Sequence, residues 1–168
     1  NPPYRRERDF KSLLGEISCT EFGRMYRSAR MDLWYYFVHK ALHLMKPGGR
    51  MSYITNAYWL NGAGSEKLIN HIKEEGNIEE IVYLDKLKIF SGVAGIHMIM
   101  RLKKELGNGT LVRRVPDRPE GTAEEYLTAA KPFVEFEKER LAIFHNGKID
   151  IEPPRRQLLS KIEKGERL

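Results

Sequence analysis

The chain has 168 residues, 41% of them hydrophobic, which is enough for one domain with a real core and an appended segment. Its net charge of +6 favours a polyanionic partner, although a solvated basic surface has the same composition. No stretch resembles a membrane span or a signal peptide, and the single cysteine, Cys19, excludes an internal disulfide framework. We therefore expect a cytoplasmic protein without membrane association, in which Cys19 is a small buried or half-buried side chain.

The chain begins with Asn1-Pro2-Pro3-Tyr4, a stiff turn with no initiator methionine before it. Each proline holds the preceding residue in extended geometry and lacks an N–H, so we expect the proline carbonyls to have no competing local donor. The Asn1 side chain adds another acceptor and Tyr4 adds a flat aromatic face. Two acceptors beside an aromatic ring suit a planar substrate with an exocyclic amino group. A reactive tetrapeptide seldom opens a chain, so we expect a piece of a longer protein.

A charged run follows the tetrapeptide, with Arg5, Arg6, Arg8 and Lys11 interleaved with two acidic residues. A mixed run of this kind is often only a solvated loop. Its position beside the tetrapeptide supports a second interpretation, in which these four side chains contact DNA phosphates at the mouth of an active site.

Residues 32–46 have the clearest helical pattern in the chain. The predicted apolar face consists of Leu33, Phe37, Ala41, Leu44 and Met45, with Trp34, Val38 and Leu42 broadening it. Asp32 is the predicted N-cap, and the Pro-Gly-Gly run at 47–49 ends the helix. His39 and His43 have a spacing compatible with a metal, but no acidic or cysteine partner follows at ligand spacing. We interpret them as two surface histidines and predict no metal site.

Strands and helices alternate over the next sixty residues. The pattern predicts a strand at 50–55, a helix at 65–75 capped by Ser65, a strand at 78–84 and a strand around 96–102. The Asn- and Gly-rich loop at 61–64 is interpreted as a strand-to-helix connection. Tyr58 and Trp59 are interpreted as core residues, with the lining of the active-site cleft as the alternative. Alternation of this kind predicts an α/β fold with a mostly parallel sheet, flanking helices and a site at the carboxyl ends of the strands.

The character of the sequence changes after Lys104. The pattern predicts a strand at 110–115, a helical stretch near 122–130 and a hairpin at 141–151 around Asn146-Gly147. A basic amphipathic helix is predicted from residue 155. We expect residues 1–104 to be the catalytic half of one domain and residues 105–168 to be a connector.

The opening tetrapeptide, the basic insert, the Pro-Gly-Gly helix end and Ile89-Phe90 before a final strand occur in this order in a known family. The pattern resembles the TaqI-like adenine-specific DNA methyltransferases, including the fused type IIG restriction–modification enzymes. The resemblance covers residues 1–104 well. It implies the C-terminal half of a Rossmann-like methyltransferase domain that uses S-adenosyl-L-methionine, followed by a lead-in to a target-recognition domain.

The resemblance also implies roles for individual residues. The Asn1 side chain and the Pro2 carbonyl would accept hydrogen bonds from the amino group of an adenine that has left the duplex, with Pro3 and Tyr4 completing the catalytic motif. Tyr4 and Phe90 would be the two aromatic faces that stack on the base. In the family, the main cofactor-binding motifs lie upstream of the tetrapeptide. The chain alone is therefore expected to be inactive and to need the cofactor-binding half, the target-recognition domain and double-stranded DNA as partners.

Two other functions fit the same motif. Amino-methyltransferases that act on a glutamine of release factors or on ribosomal RNA share the tetrapeptide, although the basic insert and the long C-terminal tail are less typical of them. A scaffold that has kept the fold only to bind DNA is the third interpretation.

Overall fold

The computed structural model describes residues 2–62, 64–91 and 95–154. The predicted C-terminal helix from residue 155 therefore lies outside the described residues, as does Asn1. Six α-helices are described: α1 (Lys11–Ser18), α2 (Glu21–Tyr26), α3 (Trp34–Leu44), α4 (Glu66–Glu75), α5 (Ala123–Leu127) and α6 (Arg140–Ile143). Two short 3₁₀ helices lie at Glu7–Asp9 and Ala57–Leu60. Seven strands are described: β1 (Arg50–Asn56), β2 (Asn77–Tyr83), β3 (His97–Lys103), β4 (Gly109–Arg114), β5 (Val134–Glu139), β6 (Phe144–His145) and β7 (Lys148–Ile149).

The centre of the fold is a five-stranded sheet in the order β1-β3-β2-β4-β5, and the α/β class is confirmed. The expected mostly parallel pairing is wrong for these residues. β3 lies between β1 and β2 and runs antiparallel to both, β2 and β4 are parallel, and β5 is antiparallel to β4. β1, β2 and β4 thus share one direction. Hydrophobic periodicity reveals that a segment is a strand but carries no information on its place or direction in the sheet.

Helix α3 packs on the sheet through a face different from the predicted one. The buried side chains are Trp34, Tyr35, Tyr36, Val38, His39 and Leu42. Phe37 is 44% exposed and Leu44 is 72% exposed, although both belonged to the predicted apolar face. Apolar residues occur on two sides of this helix, so periodicity could not choose between them. The aromatic tyrosines and a histidine, which a hydropathy pattern ranks as polar, complete the buried side.

Two further predictions for α3 are corrected. Asp32 does not cap the helix, because its backbone pairs with Arg6 in an isolated bridge and its carboxylate accepts a hydrogen bond from Asn56 Nδ2 at 3.2 Å. His39 is buried, at 1% exposure, instead of lying on the surface. Its Nδ1 lies 2.7 Å from Nδ1 of His71 in α4. The histidine pair therefore joins two core helices.

Helix α4 follows Ser65 as predicted, but the Ser65 hydroxyl donates to the Gly62 carbonyl and does not cap the helix. Leu68, Ile69 and Ile72 of α4 are buried in the main core. In the C-terminal hairpin the turn is as predicted, whereas residues 140–143 form helix α6 instead of a strand, which leaves the short β6 and β7. Asn146 and Gly147 have φ of +49° and +69°, as a tight turn between two antiparallel strands requires. Strand β5 was not predicted, because its sequence, Val-Glu-Phe-Glu-Lys-Glu, is dominated by charged residues. β4 and β5 extend the same sheet beyond residue 104.

The main core is formed by α3 and α4 against the central strands, with Trp34 and Trp59 fully buried. The core position predicted for Trp59 is confirmed, whereas Tyr58 is 53% exposed. Cys19 is also exposed and not buried as expected. Among the helices of the described residues, none has the length and apolarity needed to cross a membrane.

Candidate functional site

A cavity of about 550 Å³ opens beside Tyr4, at the end of β1 and the start of β3. Its wall combines aromatic rings, three arginines and two carboxylates: Tyr4, Arg6, Glu7, Arg8, Arg30, Asp32, Tyr35, Asn56, Tyr58, Gly62 and His97. Asn56 is the last residue of β1, so the cavity adjoins the carboxyl end of that strand, where α/β sheets bind ligands.

Of residues 2–4 of the opening motif, Tyr4 lines this cavity, whereas Pro2 and Pro3 do not form part of its wall. Pro2 is buried and Pro3 is exposed. The Pro3 carbonyl accepts a hydrogen bond from the Arg5 backbone N–H at 3.2 Å, which corrects the expectation that neither proline carbonyl has a local donor. No donor among the described residues bonds to the Pro2 carbonyl. Within that part of the chain, the expectation of a carbonyl without a competing donor therefore holds for Pro2 and not for Pro3.

Tyr4 is held from two directions. Its hydroxyl donates a hydrogen bond to the backbone carbonyl of Ile54 in β1. Its ring packs against His97 with centroids 6.4 Å apart and planes at 73°. Burial raises the pKa of Tyr4 to about 12, so the hydroxyl stays protonated at neutral pH and keeps its donor. The result is a half-buried ring fixed on the cavity wall.

The segment after the motif is tied to the residues before α3. Glu7 N–H donates to the Met31 carbonyl at 3.0 Å, and Leu33 N–H donates to the Arg5 carbonyl at 2.8 Å. This pairing brings Asp32 to the cavity wall, where its carboxylate accepts from Asn56. Burial, reinforced by the Asp32 charge, raises the pKa of Tyr35 beside it. With His97, the wall is therefore built from four segments distant in sequence.

The predicted phosphate-contacting residues divide into two groups. Arg6 and Arg8 line the cavity, whereas Arg5 and Lys11 are exposed but do not form part of its wall. A third wall arginine, Arg30, was missed by the sequence analysis. The structure thus brings basic side chains to the cavity from two segments.

Arg30 occupies an unusual backbone conformation, with a φ of +63°. Its N–H donates to the Glu7 carboxylate at 2.6 Å. Gly64 packs against the same loop with a φ of +99°, and a Cβ there would overlap the Ala29 carbonyl oxygen. Apart from the glycine at position 64, no pattern in the sequence predicts that the loop of Gly64 packs against Arg30. A local interaction and a glycine contact therefore hold Arg30 at the wall.

Phe90 and Tyr4, the two predicted stacking residues, are brought together by His97. The Phe90 and His97 ring centroids are 5.5 Å apart with planes at 80°. His97 is 2% exposed, and its Nδ1 has no hydrogen-bond partner in the described ranges. Burial lowers the pKa of His97, an effect opposed by a backbone hydrogen bond at Gly95. His97 was missed, although a histidine directly after the Phe90 loop was a possible signal.

Each of the two wall carboxylates uses one oxygen in a hydrogen bond. Asp32 Oδ2 accepts from Asn56, and Glu7 Oε2 accepts from the Arg30 N–H, with Arg27 4.0 Å from Glu7 Oε1. Because a carboxylate accepts several hydrogen bonds, both groups can still accept from a hydroxyl of a ligand. No cluster of His, Cys, Asp or Glu side chains suited to a metal ion occurs in residues 2–62, 64–91 and 95–154.

Comparison with known proteins gives a consistent result. The sequence model described as Eco57I restriction-modification methylase matches residues 1–90. Type II methyltransferase M.HincII of Haemophilus influenzae is 28% identical over 105 residues, which are 62% of this chain and 21% of that protein. Type II methyltransferase M.BanIII of Aneurinibacillus aneurinilyticus is 30% identical over 110 residues, 65% of this chain and 18% of that protein. The chain spans about a fifth of the length of these relatives.

Two solved structures with a similar fold are both of restriction enzymes. The type IIG restriction endonuclease BpuSI superposes with a TM-score of 0.61 at 14% identity, over 98% of this chain and 22% of that one. The M protein of type I restriction enzyme EcoKI gives 0.53 at 11% identity, over 83% and 42%. At these identities the likeness shows the fold alone, which is Rossmann-like.

Proposed function

Because this chain belongs to the Eco57I restriction-modification methylase family, we propose that it forms the base-accepting part of a DNA methyltransferase. The reaction is transfer of a methyl group to the exocyclic amino group of adenine in double-stranded DNA. The observation that carries the proposal is the convergence of Tyr4 and Phe90 on His97, with Tyr4 and His97 on the wall of the cavity. Aromatic rings at a cavity lined with polar groups suit a planar base.

The proposed chemistry depends on positioned acceptors and uses no covalent intermediate. The amino nitrogen of adenine is a weak nucleophile because its lone pair is delocalised into the ring. The Asn1 side-chain carbonyl and the Pro2 backbone carbonyl accept hydrogen bonds from the two amino hydrogens, which orients the nitrogen toward the methyl donor. Such groups act as preorganised dipoles, so they stabilise the charge that develops in the transition state.

The base must leave the duplex to reach this cavity. Stacking on aromatic rings is worth about 1–3 kcal/mol per base, which offsets part of the cost of unstacking. Tyr4 supplies one face, fixed by its hydrogen bond to Ile54, and Phe90 supplies the second. Arg6, Arg8 and Arg30 line the same cavity and contact the phosphates that flank the extruded nucleotide. This basic wall favours a nucleic acid over a protein glutamine as the substrate.

S-adenosyl-L-methionine supplies the methyl group when it is bound. We place its main binding site in another part of a longer cytoplasmic protein, because this chain spans about a fifth of the length of its curated relatives. Selection of the DNA sequence belongs to a target-recognition domain of the same protein. The present chain accordingly provides the acceptor pocket, and the segment after residue 104, whose strands β4 and β5 extend the same sheet, leads toward that domain.

The proposal is tested by replacing Asn1 with alanine in the full-length protein that carries this chain. We expect methyl transfer into duplex DNA to fall by about 10²–10³-fold, as for loss of one preorganised polar group, with the Kd for DNA unchanged. Asn70→Ala, at an exposed position of α4, is the matched control. A variant that keeps full methyl transfer would contradict the proposed role of Asn1. A full-length protein that binds DNA without methylating it would instead be the scaffold.

A further inference from the structure

We infer that His97 is a positioning residue. It sets the separation of the aromatic rings of Tyr4 and Phe90, which stack on the extruded base. This inference rests on the proposed function and deepens it, because it assigns a role to a residue that neither contacts the amino group nor belongs to the opening motif. It begins from the observation that one buried imidazole contacts both aromatic rings.

The backbone around His97 is anchored to two neighbouring elements. As the first residue of β3, His97 lies opposite Asn56 of β1. Its carbonyl accepts a hydrogen bond from Leu84 N–H at 3.2 Å, on the β2 side of the strand. The preceding carbonyl, of Ile96, accepts from Ala57 N–H at 2.8 Å. The imidazole therefore projects from a fixed point of the sheet.

The two aromatic residues come from less regular segments. Tyr4 belongs to the N-terminal turn, and Phe90 lies in the loop between β2 and β3. Each ring meets His97 nearly at right angles, with interplanar angles of 73° and 80°. Edge-to-face packing of this kind is favourable beyond the burial of area, so each ring has a preferred position relative to the imidazole. A rigid third ring is thus the common reference for two side chains on separate segments.

The charge state of His97 is compatible with this role. The side chain is 2% exposed, and burial keeps it neutral at neutral pH. A neutral ring packs against the two aromatic residues without placing an uncompensated charge beneath the base. His97 therefore acts through Tyr4 and Phe90, and no proton transfer is assigned to it.

The test compares His97→Ala, which removes the ring, with His97→Phe, which keeps a planar ring. In the full-length protein we expect His97→Ala to lower the single-turnover rate of methyl transfer by roughly tenfold to a hundredfold while the Kd for DNA changes less than about twofold. His97→Phe should restore most of the rate. His145→Ala, at an exposed position of the distant hairpin, is the control and should match the wild type. A wild-type rate in His97→Ala, or no rescue by His97→Phe in a folded protein, overturns the inference.

A second readout on the 168-residue chain separates this inference from the proposed function. Aromatic NMR spectra should show nuclear Overhauser contacts from His97 ring protons to both Tyr4 and Phe90, and the Tyr4 and Phe90 ring shifts should move in His97→Ala but far less in His97→Phe. Absence of these contacts in the folded wild type refutes the positioning role regardless of activity. Contacts present in a protein that methylates no DNA refute the proposed function and leave the geometry of the three rings intact.

Discussion

Acid should destabilise the chain through the buried histidine pair that joins α3 and α4. His39 and His71 are 1% and 6% exposed, and their Nδ1 atoms are 2.7 Å apart. The Tyr26 ring stacks on both, with centroid distances of 3.9 and 4.9 Å. Glu75 is the nearest carboxylate, with Oε1 3.3 Å from Nε2 of His71. A proton added to His39 would therefore enter a dry, aromatic environment beside a second imidazole.

The sign and size of the effect follow from the pKa of His39. Burial, with repulsion from His71, His43 and Lys67, lowers the pKa of His39 from 6.5 to about 3. As the pH falls, the unfolded chain therefore binds this proton before the folded chain does. The contribution of neutral His39 to the free energy of unfolding is complete above pH 6.5 and is lost as the pH falls toward about 3. One such group lowers the free energy of unfolding by up to about 1.4 kcal/mol per pH unit below pH 6.5, which amounts to roughly 2 kcal/mol at about pH 5. Burial also lowers the pKa of His71, which acts in the same direction.

Urea unfolding of the wild type, His39→Gln and His145→Gln at about pH 7.5 and about pH 5 measures this effect. Glutamine keeps a hydrogen-bonding group toward His71 but does not titrate. We therefore expect the drop in the free energy of unfolding between about pH 7.5 and about pH 5 to be roughly 2 kcal/mol smaller in His39→Gln than in the wild type. His145 is exposed, and its variant should keep the wild-type pH dependence. Equal losses in all three proteins would show that the buried pair is not the origin of the acid sensitivity.

Three further predictions concern the site. Gly64→Ala should lower the Tm, because the clash of the new Cβ with the Ala29 carbonyl adds to the ~1–3 kcal/mol of backbone strain at a positive φ. The control Gly15→Ala, in an open helical position, should raise the free energy of unfolding by about 0.5–1 kcal/mol. An unchanged Tm in Gly64→Ala contradicts the described loop packing. In the full-length protein, Arg6→Gln and Arg8→Gln should each reduce by about 1 the slope of the logarithm of the DNA-binding constant against the logarithm of the salt concentration. Arg118→Gln, at an exposed position, is the control, and an unchanged slope in the Arg6 and Arg8 variants shows that these residues do not contact phosphates. The purified 168-residue chain should transfer no label from S-adenosylmethionine to DNA, and detectable N6-methyladenine would refute the dependence on a separate cofactor-binding part.

Periodicity and short motifs predicted the elements of this fold better than their arrangement. The strands around residues 50–55, 78–84 and 96–102 are present, because apolar β-branched runs bounded by turn residues are locally determined. The insertion of β3 between β1 and β2 depends on pairing between distant segments and has no local signature. The buried face of α3 was misassigned because its second apolar side, with Phe37 and Leu44, has the same spacing as the first.

The site shows the same division between local and distant information. The opening motif and Phe90 were singled out from the sequence, and the structure brings Tyr4 and Phe90 to one imidazole. His97 and Arg30 were missed, because their importance lies in contacts with segments far away in the sequence. A single histidine or arginine has no spacing pattern that distinguishes a wall residue from a surface one.

The central claim is that the cavity beside the opening motif presents adenine for methylation at its exocyclic nitrogen. The most direct test is to incubate the full-length protein with unmodified duplex DNA and labelled S-adenosylmethionine, digest the DNA to nucleosides and identify the labelled product by mass spectrometry. We expect label in N6-methyladenine, reduced by about 10²–10³-fold in Asn1→Ala and preserved in Asn70→Ala. Label in cytosine, in added ribosomal RNA or in a release-factor glutamine, with none in adenine, would contradict it.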